Sequence, residues 1–309
     1  MRLAAVMVLA LAPSLRAQGS AQLTRGNPVP DLFAALVNLT LSEELSTTNL
    51  QVHDDRPGVD DTRVRTLRAP WSRDFDVGSR HGELHVGAAI GALLASEGLV
   101  VPSAFGPARI DQDWTVLCAQ LELGWTRPLG AGWNVRPGIA LAIAYLENDA
   151  EYNAAGEAVL APLLDGVLAN WDAWGSLGAL TLTVEHPRDP ERFSYGVVAR
   201  YAAVSSDVFA ATDEFQEQSD TSRFAAVRAE LGGLTPLTAW GAPIRWDAFT
   251  SWTGLFAIDE QTLGFDHLIE FGGGLSLRPM PKLPGLRFGA SILDGADVTG
   301  WSAGLSFAF

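Results

Sequence analysis

The 309 residues carry 36 acidic against 21 basic side chains, a formal charge of −15, which argues against nucleic acid as a partner because such binders present a basic face. The single cysteine, Cys118, excludes an internal disulfide. Only 18% of residues are charged and 48% are hydrophobic, Gly (31) and Trp (10) are abundant, and the length suits one large domain or two ordinary ones.

The N-terminus reads as a secretory signal peptide over 1–21. Arg2 gives the positive start, "LAAVMVLALAPSL" the apolar stretch, and "SLRAQGSA" small residues for cleavage after Ala17 or Ala21. Thirteen apolar residues are too few to cross a bilayer as a helix, and no stretch of about 20 follows. An integral membrane protein with this sequence is therefore a β-barrel. Residues 22–44 form an N-terminal segment read as a short helix starting after Asp31 or a further strand, either of which would suit the lumen.

The strands of the barrel, 45–309, come next. "LSTTNLQV" (45–52) and "TRVRTLRA" (62–69) read as strands joined by "HDDRPGVDD". Ten clearer ones follow, each with a two-residue period. In "GELHVGAAIGALLAS", Leu84, Val86, Ala88, Ile90, Ala92 and Leu94 alternate with Glu83, His85, Gly87, Ala89 and Gly91. "TVLCAQLELGW", "WNVRPGIALAIAY", the less regular 168–184, "RFSYGVVARYA", "FAAVRAELGG", "IRWDAFTSW", "HLIEFGGGLSLR" and "LRFGASIL" repeat it, and "WSAGLSFAF" closes the chain. "RPLGAG", "EHPRDPE" and "RPMPKLPG" are short connections, whereas the alternate ones are long and acidic, as in outer-membrane barrels. Trp125, Trp133, Tyr145, Phe193, Tyr201, Trp301 and Phe309 stand at strand ends on the apolar face, the positions of interfacial girdles. The fold class expected is all-β, a transmembrane antiparallel up-and-down β-barrel of about twelve strands, with ten and fourteen left open.

On the less apolar face, small residues and glycine are interrupted by Glu122, Arg136, Arg200, Arg228, Glu230, Arg245, Asp247, Glu270, Arg278 and Arg287. They are candidates to line a lumen, either as a pore or as ion pairs that plug it. His85 and Cys118 share that face.

Trp301, Leu305, Phe307 and Phe309 occupy the ninth-last, fifth-last, third-last and last positions. That arrangement resembles the C-terminal signal of bacterial outer-membrane proteins, and implies recognition of the last strand by the barrel assembly machinery. "TTNLQV…RTLRAPW" early and "IEFGGGLSLRPMPKLPGLRFGASILDGADVTGWSAGLSFAF" late make the chain similar to solitary autotransporter-like β-barrels, a translocator-type barrel without a passenger domain. The resemblance implies an outer-membrane location in a Gram-negative cell and no established chemistry; the role expected for such a barrel, with membrane lipid as its surroundings, is structural, anchoring or that of a small pore.

Two other function classes are open to such a barrel, a small-solute channel and an outer-membrane hydrolase. His53-Asp54-Asp55 and Asp266-His267 fall at strand ends on the long-loop side. An Asp-His pair facing an Asp pair resembles the water-activating arrangement of omptin proteases. Omptin motifs are spaced, Asp-x-Asp and Asp-x-His; here the residues are adjacent, and neighbours in a strand point to opposite faces. No serine-histidine pair for a lipid-modifying enzyme is readable. The expectation is no enzyme, no catalytic residue, no cofactor and no metal.

Overall fold

A two-residue repeat commits a chain to strands when each of the two faces finds its own surroundings. The computed structural model describes residues 45–53, 58–78, 82–166, 169–189, 192–212, 217, 219–256, 266–277 and 285–308. The strands are β1 (Leu45–Val52), β2 (Thr62–Asp76), β3 (Glu83–Ser103), β4 (Gly106–Gly130), β5 (Trp133–Tyr152), β6 (Trp171–His186), β7 (Ser194–Phe209), β8 (Ser219–Ala239), β9 (Ala242–Phe256), β10 (His267–Leu277), β11 (Gly285–Asp294) and β12 (Val298–Ala308). Each pairs antiparallel with the next, and β12 pairs with β1 to close the barrel. The twelve-stranded up-and-down barrel expected from the alternation is the fold. The expected signal peptide and the 22–44 segment lie outside the described residues, as do Arg278, Phe309, Asp54 and Asp55.

Both ends of the strand set, and the connections β2–β3, β4–β5, β6–β7, β8–β9 and β10–β11, lie at one end of the barrel, called here the turn end. Ala131-Gly132 and Trp240-Gly241 make two-residue turns there, with positive φ at both positions (51° and 82°, 50° and 78°). This is the type I′ geometry whose twist matches the flanking strands.

Strands run further than the period alone predicts. β2 continues through Pro70 to Asp76, and β3 and β4 zip to a tight turn between Ser103 and Gly106, projecting beyond the loop-end rim. The β5–β6 connection, expected as an acidic loop, holds two short helices, α1 (Ala154–Val159) and α2 (Ala161–Leu164). Asn153 caps α1, its Oδ1 accepting from Gly156 N at 2.7 Å. Leu164 then packs with Ile110 and Ala169, against Leu99 and Tyr152, so the hairpin's inner face is covered by the helices.

The outer face is apolar and open. Ile90, Leu121, Leu141, Leu180 and Ile292 are each more than 60% exposed. In water such a band would be an aggregation hazard; in a bilayer it is the lipid-facing girdle. Aromatic pairs bound it at two heights. Tyr145–Trp174 (5.5 Å) and Trp252–Phe256 (6.3 Å) lie toward the loop end, Trp133–His186 (5.3 Å), His186–Tyr195 (5.0 Å) and Phe193–Trp246 (6.4 Å) toward the turn end.

The interior departs from the uniform small-and-charged lining read from the sequence. That lining holds only in the turn-end half. In the loop-end half Leu50, Val52, Val64, Leu93, Val116, Leu146, Trp171, Val208, Phe224, Leu255, Leu268 and Val298 belong to one buried apolar cluster, with Leu293 of β11 packed on it. Eleven strands contribute and the twelfth packs on them, so the inward residues go from mostly polar at the turn end to mostly apolar toward the loop end, a change that a face-by-face reading averages away.

Candidate functional site

The inward polar layer is built by glycines as much as by charges. On β11 the Arg287 side chain lies across Gly274 of β10 and reaches Asp247 of β9. Nε donates to Oδ1 at 2.9 Å and Nη2 to Oδ2 at 2.5 Å, a bidentate pair around an Asp247 side chain that is 2% exposed. A Cβ at Gly274 would stand 2.8 Å from the guanidinium carbon, so this long reach needs glycine in the middle strand.

The same device recurs on the other wall. Arg136 of β5 lies over Gly124 of β4 and brings Nη1 to 3.1 Å from Nδ1 of the buried His85 on β3. That Nδ1 is also 2.8 Å from Asp74 Oδ1 on β2. Four strands are thus tied by one row of side chains. Farther round, Arg200 of β7 donates from Nη2 to Glu122 Oε2 of β4 at 2.9 Å. Glu230 stands 3.9 Å from Arg228 Nε and 3.5 Å from Arg188 Nε, and the Arg228 guanidinium covers the Phe249 ring at 3.5 Å. Glu270 accepts from Ser251 (3.1 Å) and Ser291 (2.5 Å). Arg245 is half-buried in the inward parity of β9. Cys118 faces inward against Gly91.

The nine described lumen candidates therefore share the interior, and eight of them, Arg245 aside, have the contacts just given. The sequence reading missed Asp74 and Arg188, which join the same network. Asp74 lies beyond Pro70, where a proline ordinarily argues against continuing a strand. Arg188 lies after β6, in the turn "EHPRDPE", and folds back inward over Gly232.

At the loop-end rim, the β1–β2 connection pairs with β3: Val100 N donates to Gly58 O (2.7 Å) and Asp60 N to Gly98 O (2.8 Å). Arg109 locks it, donating from Nη2 to Asp60 at 2.7 Å and from Nε to Asp111 at 2.8 Å. The guanidinium holds the Asp111 carboxyl below its ordinary 3.8, and the two carboxylates push Arg109 upward. Tyr152 donates to Asp165 Oδ1 at 2.8 Å; its hydroxyl is pushed up by partial burial and then by that carboxylate.

The histidines whose neighbours resemble a water-activating arrangement sit at this rim. His53 Nδ1 is 3.2 Å from Asp61 Oδ2. Asp266 and His267 are hydrogen-bonded to each other, and His267 holds the Asp266 carboxyl below its usual value. Strand alternation does not separate this pair because Asp266 precedes β10. Among the described residues no group of three His, Cys, Asp or Glu side chains is placed to hold a metal ion.

In β12, Trp301 points outward, 50% exposed, in register with Asn49 of β1 and Ile292 of β11. Leu305 shares its face and pairs with Phe288, and Phe307 pairs in register with Leu286.

The sequence matches the family described as the solitary outer membrane autotransporter beta-barrel domain over residues 45–308. No curated protein matches it. The transport unit of the autotransporter AIDA-I from Escherichia coli has a similar structure: TM-score 0.52 at 8% identity, covering 92% of this chain and 100% of that one. The translocator domain of autotransporter NalP from Neisseria meningitidis gives 0.46 at 11% identity, covering 90% and 94%. The KdgM porin gives 0.40 at 9% identity, covering 86% and 99%.

Proposed function

The chain belongs to the solitary outer membrane autotransporter beta-barrel domain family, and from that premise we propose that it serves the outer membrane as a closed, structural or anchoring barrel. One observation carries this reading: the loop-end half of the interior is a buried apolar cluster to which eleven strands contribute, with a twelfth packed on it. Ions cross an apolar constriction only when it is wide enough to stay wet. Beneath it, Arg200–Glu122 and Arg287–Asp247 tie non-neighbouring strands. Charges that satisfy one another offer a passing solute little.

The test is single-channel recording on the purified, refolded full chain in a planar bilayer. The closed reading expects no steps above background. Reproducible steps would instead favour a small-solute channel, a reading supported by the polar turn-end half with Arg136, Arg228, Arg245 and Glu270.

We further propose that Trp301, Leu305, Phe307 and Phe309 present the closing strand to the barrel assembly machinery, with membrane lipid as the barrel's surroundings. The support is positional: Trp301 faces outward at the loop-end girdle, and the strand continues to the opposite rim at the two-residue repeat.

A further inference from the structure

One sector of the outer wall breaks the apolar rule. On β1 the polarity is reversed: Leu50 and Val52 are buried inward, while Thr47, Asn49 and Gln51 take the lipid-facing parity. Beside them on β2, Arg63 and Arg65 are exposed on the same outer face. Among the described residues no ion pair or hydrogen bond is made by either arginine side chain. The registers give two outward rows, Thr299–Gln51–Arg63–Ser96 and Trp301–Asn49–Arg65–Leu94.

Height identifies what these rows meet. Arg65 shares its row with Trp301, and Leu67, one step nearer the barrel middle, is 54% exposed in the apolar band. The arginines therefore stand at an interface, where a cation on the lipid face is tolerated, rather than at the hydrocarbon centre. Short turns lie on the periplasmic side of outer-membrane barrels. The loop end, and with it this patch, faces the outer leaflet.

We propose that the outer face of β12, β1 and β2 binds the phosphorylated glycolipid of that leaflet. Two neighbouring guanidiniums match a phosphate, which they can grip by paired hydrogen bonds. Asn49, Thr299 and Ser96 place amide and hydroxyl groups beside them for sugar hydroxyls. Below the patch a groove of about 640 Å³ opens on the lipid-facing wall, bordered by Ala69, Trp71, Ala88, Ile90, Leu121 and Leu141. Ala69 lies four residues from Arg65, roughly 13 Å along the tilted β2 in the direction of the membrane middle. That is the direction in which an acyl chain leaves a headgroup held at Arg65. The proposal rests on the outer-membrane location and is independent of whether the lumen is closed.

Native mass spectrometry of the refolded full chain in detergent tests it, with bis-phosphorylated lipid A, its dephosphorylated form, phosphatidylglycerol and inorganic phosphate as probes. The wild type should bind lipid A on the order of tenfold more tightly than the Arg63→Gln/Arg65→Gln variant, the loss expected for one charge-assisted contact or more. The dephosphorylated form and phosphatidylglycerol should bind the wild type as weakly as lipid A binds the variant. Equal binding of lipid A by both proteins, equal binding of phosphatidylglycerol, or displacement by inorganic phosphate overturns the proposal. So does a change confined to oligomeric state, which would make the patch a contact between copies. Should the arginine variant not refold, Ala88→Leu, which fills the groove and keeps both arginines, must weaken lipid A binding; unchanged affinity overturns the idea equally.

Discussion

Arg200 on β7 reaches Glu122 on β4 across the two strands between them, Nη2 to Oε2 at 2.9 Å. A contact between strands that are not neighbours must pass over the inner wall, so it places both side chains in the interior independently of any parity argument. With 16% and 12% of the side chains exposed, the pair is largely removed from water. Its members are therefore costly to separate.

Removing one member leaves the other charge without its partner. Arg200→Ala should lower folded stability by about 1.5–3 kcal/mol, the range for a charge-assisted hydrogen bond. Glu122→Gln should do less, because an amide oxygen still accepts. The temperature at which the folded band disappears in seMI-native electrophoresis, or loss of β signal by circular dichroism in detergent, reads the effect. Equal melting of wild type and Arg200→Ala would show that the pair contributes no net stability.

Gly274 is predicted to behave as part of an ion pair to which it donates no atom. Its added Cβ would meet the Arg287 guanidinium carbon at 2.8 Å and the Phe288 carbonyl oxygen at 2.7 Å. Gly274→Ala should therefore pull Arg287 from Asp247 and destabilise at least as much as Arg287→Ala. Because both variants break one contact, their effects should fail to add in the double variant. Additive losses in melting experiments would mean that the glycine serves the backbone alone.

The alternation revealed the barrel because the requirement is local: each strand must show one face to lipid and the other inward, and ten or so residues suffice to record that. β1 was the harder strand to read, since its outer face carries Thr47, Asn49 and Gln51 while Leu50 and Val52 turn inward. The extension of β2 past Pro70 and of the β3–β4 hairpin past the rim depends on partners far away in sequence, such as Leu164 against Ile110. The inward charges could be assigned by parity. Their pairing could not, because Arg200–Glu122 spans 78 positions and the reach of Arg287 depends on a glycine in a third segment.

Acid should loosen the rim brace before it affects the barrel. Arg109 holds the Asp111 carboxyl below its usual 3.8. A carboxylate with a depressed folded-state pKa contributes stability above its unfolded value, and that contribution is lost as pH falls through the lower, folded one. The brace should therefore be intact at neutral pH and weaken only below about pH 4. Both groups are well exposed, so the change is local and small. Amide exchange at Asp60 and Val100, whose N–H groups bridge to Gly98 and Gly58, should speed up there while β5 and β6 amides stay protected. Exchange at the two sites that is unchanged across this range, or that rises together with the barrel, contradicts the assignment.

Deletion of Phe309 should reduce the amount of folded protein in the outer membrane without abolishing refolding in detergent, if the final aromatic is read by the assembly machinery. Trp301→Ala should act differently. Trp301 sits at the loop-end girdle and is half exposed to lipid, so its loss should lower stability in both settings. Outer-membrane fractionation beside in vitro refolding separates the two. Equal membrane levels of wild type and the deletion would remove the recognition role.

The apolar cluster makes the sharpest demand on the lumen. Phe224, Leu50 and Leu93 are among its largest side chains, each about 2% exposed, on β8, β1 and β3. Phe224→Ala alone should cost about 3–5 kcal/mol, the transfer term plus the cavity left behind. If the cluster is the barrier to ions, truncating all three to alanine should let water thread the loop-end half and join the polar half below. A silent barrel should then give steps in a planar bilayer, while Arg200→Ala, which disturbs only the polar half, should stay silent. Silence of the triple variant after confirmed folding would locate the barrier elsewhere. Steps from Arg200→Ala would move it to the ion pairs, and the closed state would then be electrostatic rather than hydrophobic in origin.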